Sequence, residues 1–251
     1  MGKAPAVRAA LTRIADAALA VLLAPACACC AGPLDEPTAG PVCRGCWSSI
    51  VPITPPVCDT CGDPLPSWRV ISVERSRCPR CRRRRGAVTR SRAIGAYDGA
   101  LRDIVHALKY DGRRQLAQRL GARLAASAAD LIAGADVAVP VPLHPARRRA
   151  RGYNQAADIA RSLGLPVLPA LRRIRATRSQ TDLPASRRHA NVRGAFALAG
   201  RVEVTGLTMV LVDDVSTTGA TIEACARVLL AAGAREVRAV TAARVVSRPR
   251  R

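Results

Sequence analysis

The sequence predicts an α/β domain with a mostly parallel sheet, preceded by a small cysteine-rich domain. Two observations carry this. From about residue 90, short apolar runs alternate with stretches of helical period, the pattern of strands joined by crossover helices. Residues 25–81 instead are rich in Pro, Gly and Cys and keep no sustained period. The boundaries follow: an amphipathic helix within 1–24, a cysteine-rich domain over 25–88, and the α/β domain over 89–251.

Val7, Leu11, Ile14, Ala18, Val21 and Leu22 repeat at helical spacing, which predicts a helix over 6–23. Asp16 interrupts its apolar stretch, and no apolar run in the chain reaches the ~18–20 residues that span a bilayer. Membrane insertion is not expected. Leu101, Ile104, Val105, Leu108, Leu116, Leu120 and Leu124 trace helical faces over 99–126, broken near Asp111 and Gly112. Val137–Val141 reads as a strand ended by Pro142, and 154–163 as a helix capped by Asn154. A short strand is expected at Val167–Leu171, an apolar one at Met209–Val212, a helix over 219–232 and a last strand from Glu236 to Val246.

Eight of the ten cysteines form four Cys-x-x-Cys pairs: Cys27/Cys30, Cys43/Cys46, Cys58/Cys61 and Cys78/Cys81. Thiolates with two residues between them sit on one tight knuckle and bite a Zn²⁺ from one side; two knuckles complete a tetrahedral site. Four pairs therefore predict two zincs, with the pairing of knuckles left open. Protein thiolates fill every ligand position, so both sites are expected to be structural. A disulfide framework is disfavoured, because nothing else in the chain looks secreted. Cys29 lies inside the first pair, and Cys225 stands alone as a small hydrophobe of a later helix.

Lys plus Arg number 40 against 18 Asp plus Glu, a net charge of +22, and only Lys3 and Lys109 are lysines. Arginine offers a planar fork to phosphate, so polyanions are the natural partners. Aromatics make up only 2% of the chain, which excludes a base-stacking platform. The run Arg82–Arg85 precedes Gly86, read as a linker.

The segment Met209–Thr221 carries the chemistry. An apolar strand leads to Asp213 and Asp214, then Ser216, Thr217, Thr218, Gly219, Ala220 and Thr221 enter a helix. Small residues let backbone N–H groups approach an anion, and the helix N-terminus adds its positive end. The two carboxylates lie where ligands bind in open α/β sheets, placed to accept hydrogen bonds from sugar hydroxyls. There is no Gly-Lys-Ser/Thr ending and no Gly-x-Gly-x-x-Gly, so neither a Walker loop nor a dinucleotide fingerprint is present.

That run resembles the signature of type I phosphoribosyltransferases, which bind phosphoribosyl pyrophosphate (PRPP). The whole chain is similar to the competence protein F (ComF/GntX) family. The resemblance spans the cysteine pairs, Tyr97-Asp98-Gly99, Leu108-Lys109-Tyr110, Pro140–Pro145, Arg147, Arg151-Gly152-Tyr153-Asn154-Gln155, and Thr177 to Phe196. Where Arg187 stands, many relatives carry an acidic residue.

The resemblance implies a type I phosphoribosyltransferase fold behind a double zinc ribbon, and PRPP with Mg²⁺ as ligand. It implies that Asp213 and Asp214 hold the ribose hydroxyls, that residues 216–221 hold the 5′-phosphate, and that Arg147 and Arg151 clamp pyrophosphate. Residues 173–193, with Arg175, Arg178 and Arg188, read as a loop closing over the ligand, with Arg188 as a catalytic candidate beside the two aspartates. His144 stands at the mouth of the pyrophosphate turn, His189 lies in the loop, and His106 is read as packed. A cytoplasmic role in natural competence is implied, with single-stranded DNA and competence-machinery proteins as partners. Turnover with an unidentified acceptor, a non-catalytic PRPP or nucleotide sensor, and a nucleic-acid adaptor remain distinct readings.

Overall fold

The computed structural model describes residues 4–65, 76–83, 86–175 and 192–246. Their contacts resolve two compact units, one of residues 1–50 with 98–116, the other of 51–97 with 117–251.

The first unit contains α1 (Ala4–Leu23), α2 (Arg44–Ser48) and α4 (Gly99–Tyr110), and the second opens with α3 (Pro79–Arg83). Helix α1 forms as its periodicity predicts, but its stripe is not buried: Val7, Leu11, Ile14, Val21 and Leu22 are all exposed. The opposite face is anchored instead, through buried Asp16. Its Oδ1 accepts the backbone N–H of Thr38 at 2.8 Å and the Thr38 hydroxyl at 2.7 Å. No helix among the described residues is long and apolar enough to cross a membrane.

The second unit is built on β1 (Ser91–Ala96), β2 (Val137–Pro140), β5 (Thr208–Ser216) and β6 (Glu236–Arg244). They pair in the order β1-β6-β5-β2, and every pairing is parallel. Strands sandwiched between helices read as continuous apolar runs, and Met209–Val212 are fully buried. Around the sheet lie α5 (Leu116–Ser127), α6 (Ala129–Ile132), α7 (Pro145–Arg151), α8 (Gln155–Ala160) and α9 (Ala220–Ala231). One face packs Met209 and Leu211 with Cys225, Ala226 and Leu229 of α9, and Cys225 is fully buried as a small hydrophobe. Deleting such a side chain, as in Leu211→Ala, costs about 2–5 kcal/mol.

Three elements differ from the sequence reading. The strand expected at Val167–Leu171 begins only at Leu171: β3 (Leu171–Arg173) pairs antiparallel with β4 (Phe196–Leu198), while Val167 makes an isolated bridge to Ala138. Strand β5 does not stop at Val212, because its ladder with β6 runs on to Ser216 opposite Arg244. Third, the pyrophosphate turn that carries Arg147 and Arg151 contains α7. Pro145 opens that helix, His144 caps it by accepting the Ala146 N–H on Nδ1 at 3.3 Å, and Gly152 closes it in the left-handed conformation.

Candidate functional site

The cysteines gather into two clusters, Cys27/Cys30/Cys43/Cys46 and Cys58/Cys61/Cys78/Cys81. Consecutive knuckles therefore combine, which their spacing left open. Sγ–Sγ separations of 3.8 Å for Cys27–Cys46 and Cys30–Cys43, and 3.7 Å for Cys61–Cys78, far exceed a disulfide. They fit the ~3.8 Å edge of a tetrahedron with Zn–S bonds of ~2.3 Å.

The backbone supports the sulfurs. The N–H groups of Cys29 and Cys43 point at Cys27 Sγ at 3.4 and 3.3 Å, and Cys78 N–H at Cys58 Sγ at 3.2 Å. Burial raises the Cys27 thiol, but backbone hydrogen bonds from Cys30, Cys43 and Cys29 outweigh it and bring the thiol down to about 6. Cys58 is pulled down as well, first by hydrogen bonds from the Cys61 and Cys81 thiols. Each cluster thus prepares a thiolate, and the residues fit two structural zinc ions. Cys29 belongs to neither cluster; burial beside Cys27 pushes its thiol up to about 12.

The phosphate-type turn lies at the end of β5. Asp213 is half-buried, and its Oδ1 accepts the backbone N–H of Asp214 at 2.9 Å. Asp214 is 5% exposed and accepts a hydrogen bond from the side-chain amide of Gln155. Gln155 is brought there by α8, whose start is fixed by Asn154: its Oδ1 accepts the Ala156 N–H at 3.1 Å and its Nδ2 donates to Val141 O at 3.1 Å. Gln155 Oε1 is buried without a partner. Residues 217–219 form the bend, with Gly219 at φ +74°, a conformation that disfavours a side chain, and α9 begins at Ala220. A twelve-residue helix thus points its N-terminus at the bend.

Sequence reasoning missed Arg173. Its charged form is opposed first by burial and then by Arg147, and is favoured by Asp213. The structure therefore gathers Asp213, Arg147 and Arg173 in one electrostatic neighbourhood. The Arg173 guanidinium lies 5.3 Å above the Phe196 ring centre. Beside it a cavity of about 500 Å³ is lined by Pro142, Arg148, Arg149, Arg172 and Arg173. Arg148 and Arg149, both exposed, contribute to this basic wall. Arg151 lies in the last turn of α7. The one signal that could have found Arg173 was its place at the start of the expected loop. His144 is occupied in capping α7. His106, read as packed, is instead exposed and meets Tyr110 at a tilt, with ring centres 4.7 Å apart. Arg178, Arg188 and His189 lie outside the described residues, as do Arg84 and Arg85.

Comparison with known proteins agrees with both parts. A double zinc ribbon domain matches residues 18–82, and a phosphoribosyl transferase domain matches 149–251. The DNA utilization protein YhgH of Salmonella typhimurium is 35% identical, over 64% of this chain and 74% of that protein. Competence protein F of Haemophilus influenzae is 28% identical over 84% of this chain and 93% of its own. The chain belongs to the ComF family. Within it, the competence protein ComFC of Bacillus subtilis is 27% identical over 76% of this chain and 79% of its own. The type I phosphoribosyltransferase fold and the two zinc-ribbon clusters of this ComF protein are those its sequence resembled.

Proposed function

We propose that this ComF protein binds PRPP with Mg²⁺ at the Asp213–Thr221 turn and acts in the cytoplasm in natural competence, handling imported single-stranded DNA. The observation that supports the reading best is a carboxylate pair with divided duties. Buried Asp214 is fixed by Gln155, while half-buried Asp213, within electrostatic reach of Arg173, stands on the strand that leads into a helix N-terminus. A phosphoribosyl ligand supplies the matching groups: hydroxyls for the carboxylates, a 5′-phosphate for Ser216–Thr221, and a pyrophosphate for Arg147, Arg151 and Arg173.

Carboxylate oxygens such as those of Asp213 suit Mg²⁺, which when bound would neutralise pyrophosphate charge. In turnover the bond between C1 of the ribose and the pyrophosphate oxygen breaks while C1 bonds to the acceptor nucleophile, which gives up its proton, and positive charge develops on the sugar ring on the way. The chain's own contribution is electrostatic. In this reading Asp213 would face the ring where charge grows, and the arginines would meet the departing pyrophosphate. Arg188 is proposed to complete that set.

The net charge of +22 favours a second activity of the same chain, non-specific attraction to nucleic acid. Binding of PRPP with Mg²⁺ and of a single-stranded oligonucleotide, measured separately on zinc-loaded protein, separates the readings. Pyrophosphate release marks a transferase, and tight PRPP binding without release marks a sensor. DNA binding without any PRPP affinity leaves the adaptor.

A further inference from the structure

The second cysteine cluster is tied to the phosphate turn at three points. Arg80, next to ligand Cys81, donates to the backbone carbonyl of Thr218 inside the bend. Arg244, at the end of β6 and 4% exposed, donates from Nε to Asp63 Oδ1 at 2.6 Å and from Nη1 to Ser216 Oγ at 3.5 Å. Asp63 lies two residues beyond ligand Cys61, and its carbonyl takes the N–H of ligand Cys58 at 2.8 Å. Just past the knuckle, Ala87 N–H meets both carboxylate oxygens of Glu223, in the first turn of α9, at 3.0 and 2.9 Å.

The knuckle also seats closely on the sheet. A Cβ on Gly62 would lie 2.7 Å from Ser91 O, so only glycine permits that approach. Between knuckle and bend remains a small pocket of about 110 Å³ lined by Thr60, Arg80, Ser91, Thr218, Ile222 and Arg244. A bend of three residues has few bonds of its own. A cation on its carbonyl and a buried ion pair behind its first hydroxyl therefore weigh heavily in its conformation.

We infer that Arg80, Asp63 and Arg244 are positioning residues that make the second zinc knuckle a structural part of the phosphate turn, so that zinc at Cys58/Cys61/Cys78/Cys81 sets the conformation of residues 216–219. The zinc knuckles then differ in role, because the Cys27/Cys30/Cys43/Cys46 cluster belongs to the other unit. The consequence for ligand affinity rests on the PRPP reading; the consequence for the turn does not.

The test uses full-length, zinc-loaded protein and three readouts: zinc content, amide hydrogen exchange of the 216–222 segment, and affinity for PRPP with Mg²⁺. Arg80→Ala should keep two zincs, speed exchange in 216–222 about tenfold and weaken PRPP about tenfold, the scale of one hydrogen bond from a charged donor. Arg44→Ala is the matched control. Arg44 follows ligand Cys43 and pairs with Glu36, so neither exchange in 216–222 nor PRPP affinity should change. Removing the second zinc with Cys78→Ser should loosen 216–222, and Cys43→Ser should not. Unchanged exchange in fully loaded Arg80→Ala overturns the inference. Zinc loss from Arg80→Ala overturns it too, because Arg80 would then serve only the ribbon. If wild-type protein fails to bind PRPP, the ligand reading falls, while the exchange comparison still decides the positioning role.

Discussion

The side-chain amide of Gln155 donates to the carboxylate of Asp214 across 59 residues of chain, in a site where both residues are almost fully buried. This bond joins the Arg151–Gln155 element to the phosphate turn, two of the segments that carry the family resemblance. Gln155→Leu keeps the volume and removes the donor. It should destabilise the protein by about 1–3 kcal/mol, the cost of leaving a buried acceptor without its partner. Urea denaturation with zinc held saturating checks this, and an unchanged midpoint would show that Asp214 finds another donor.

Elemental analysis should find two zincs per chain. Cys43→Ser and Cys61→Ser should each lose one, since each removes a thiolate from a different cluster of four. Loss of both metals from either variant would contradict two independent sites.

Arg173→Leu separates a ligand role from a packing role by the sign of its effects. Arg173 is desolvated and like-charged Arg147 opposes its charge, so its removal should cost little stability. PRPP affinity should fall more than tenfold, as expected for a charged donor. Thermal unfolding and calorimetry on the same preparation give both numbers. A large loss of stability with unchanged affinity would make Arg173 a structural residue.

Single-strand DNA affinity should fall steeply with salt, by a slope of about −0.7 per phosphate neutralised. Neutralising Arg82, Arg83, Arg84 and Arg85 together should flatten that slope by up to about 3 units. Fluorescence anisotropy across a salt series reads it directly, and an unaltered slope would reduce the run to a solvated segment.

The parts of the fold legible in the sequence are those where one physical demand dominates. Met209–Val212 is apolar because a central parallel strand is covered on both faces, and the Asn154 cap and the Gly219 bend are local chemistry. The extension of β5 to Ser216 is hidden, because polar side chains there obscure a ladder made by the backbone with β6. Helix α7 is hidden as well. Its content is four arginines with little apolar periodicity, and it rests on His144 and Pro145 at one end and Gly152 at the other. The exposed stripe of α1 shows the reverse, since helical spacing predicted the helix but not which face is held. Spacing could not pair the knuckles, since any two fit one ion, and Arg173 was one arginine among many until β3 placed it over Phe196 beside a basic cavity.

The measurement that bears most directly on the account is calorimetric titration of zinc-loaded protein with PRPP and Mg²⁺, beside the variant carrying Asp213→Asn and Asp214→Asn. The wild type should bind, and the variant should keep its zinc and fold while losing at least about 2 kcal/mol of affinity, the scale of its charge-assisted hydrogen bonds. Equal affinity in a folded, zinc-loaded variant would contradict the site.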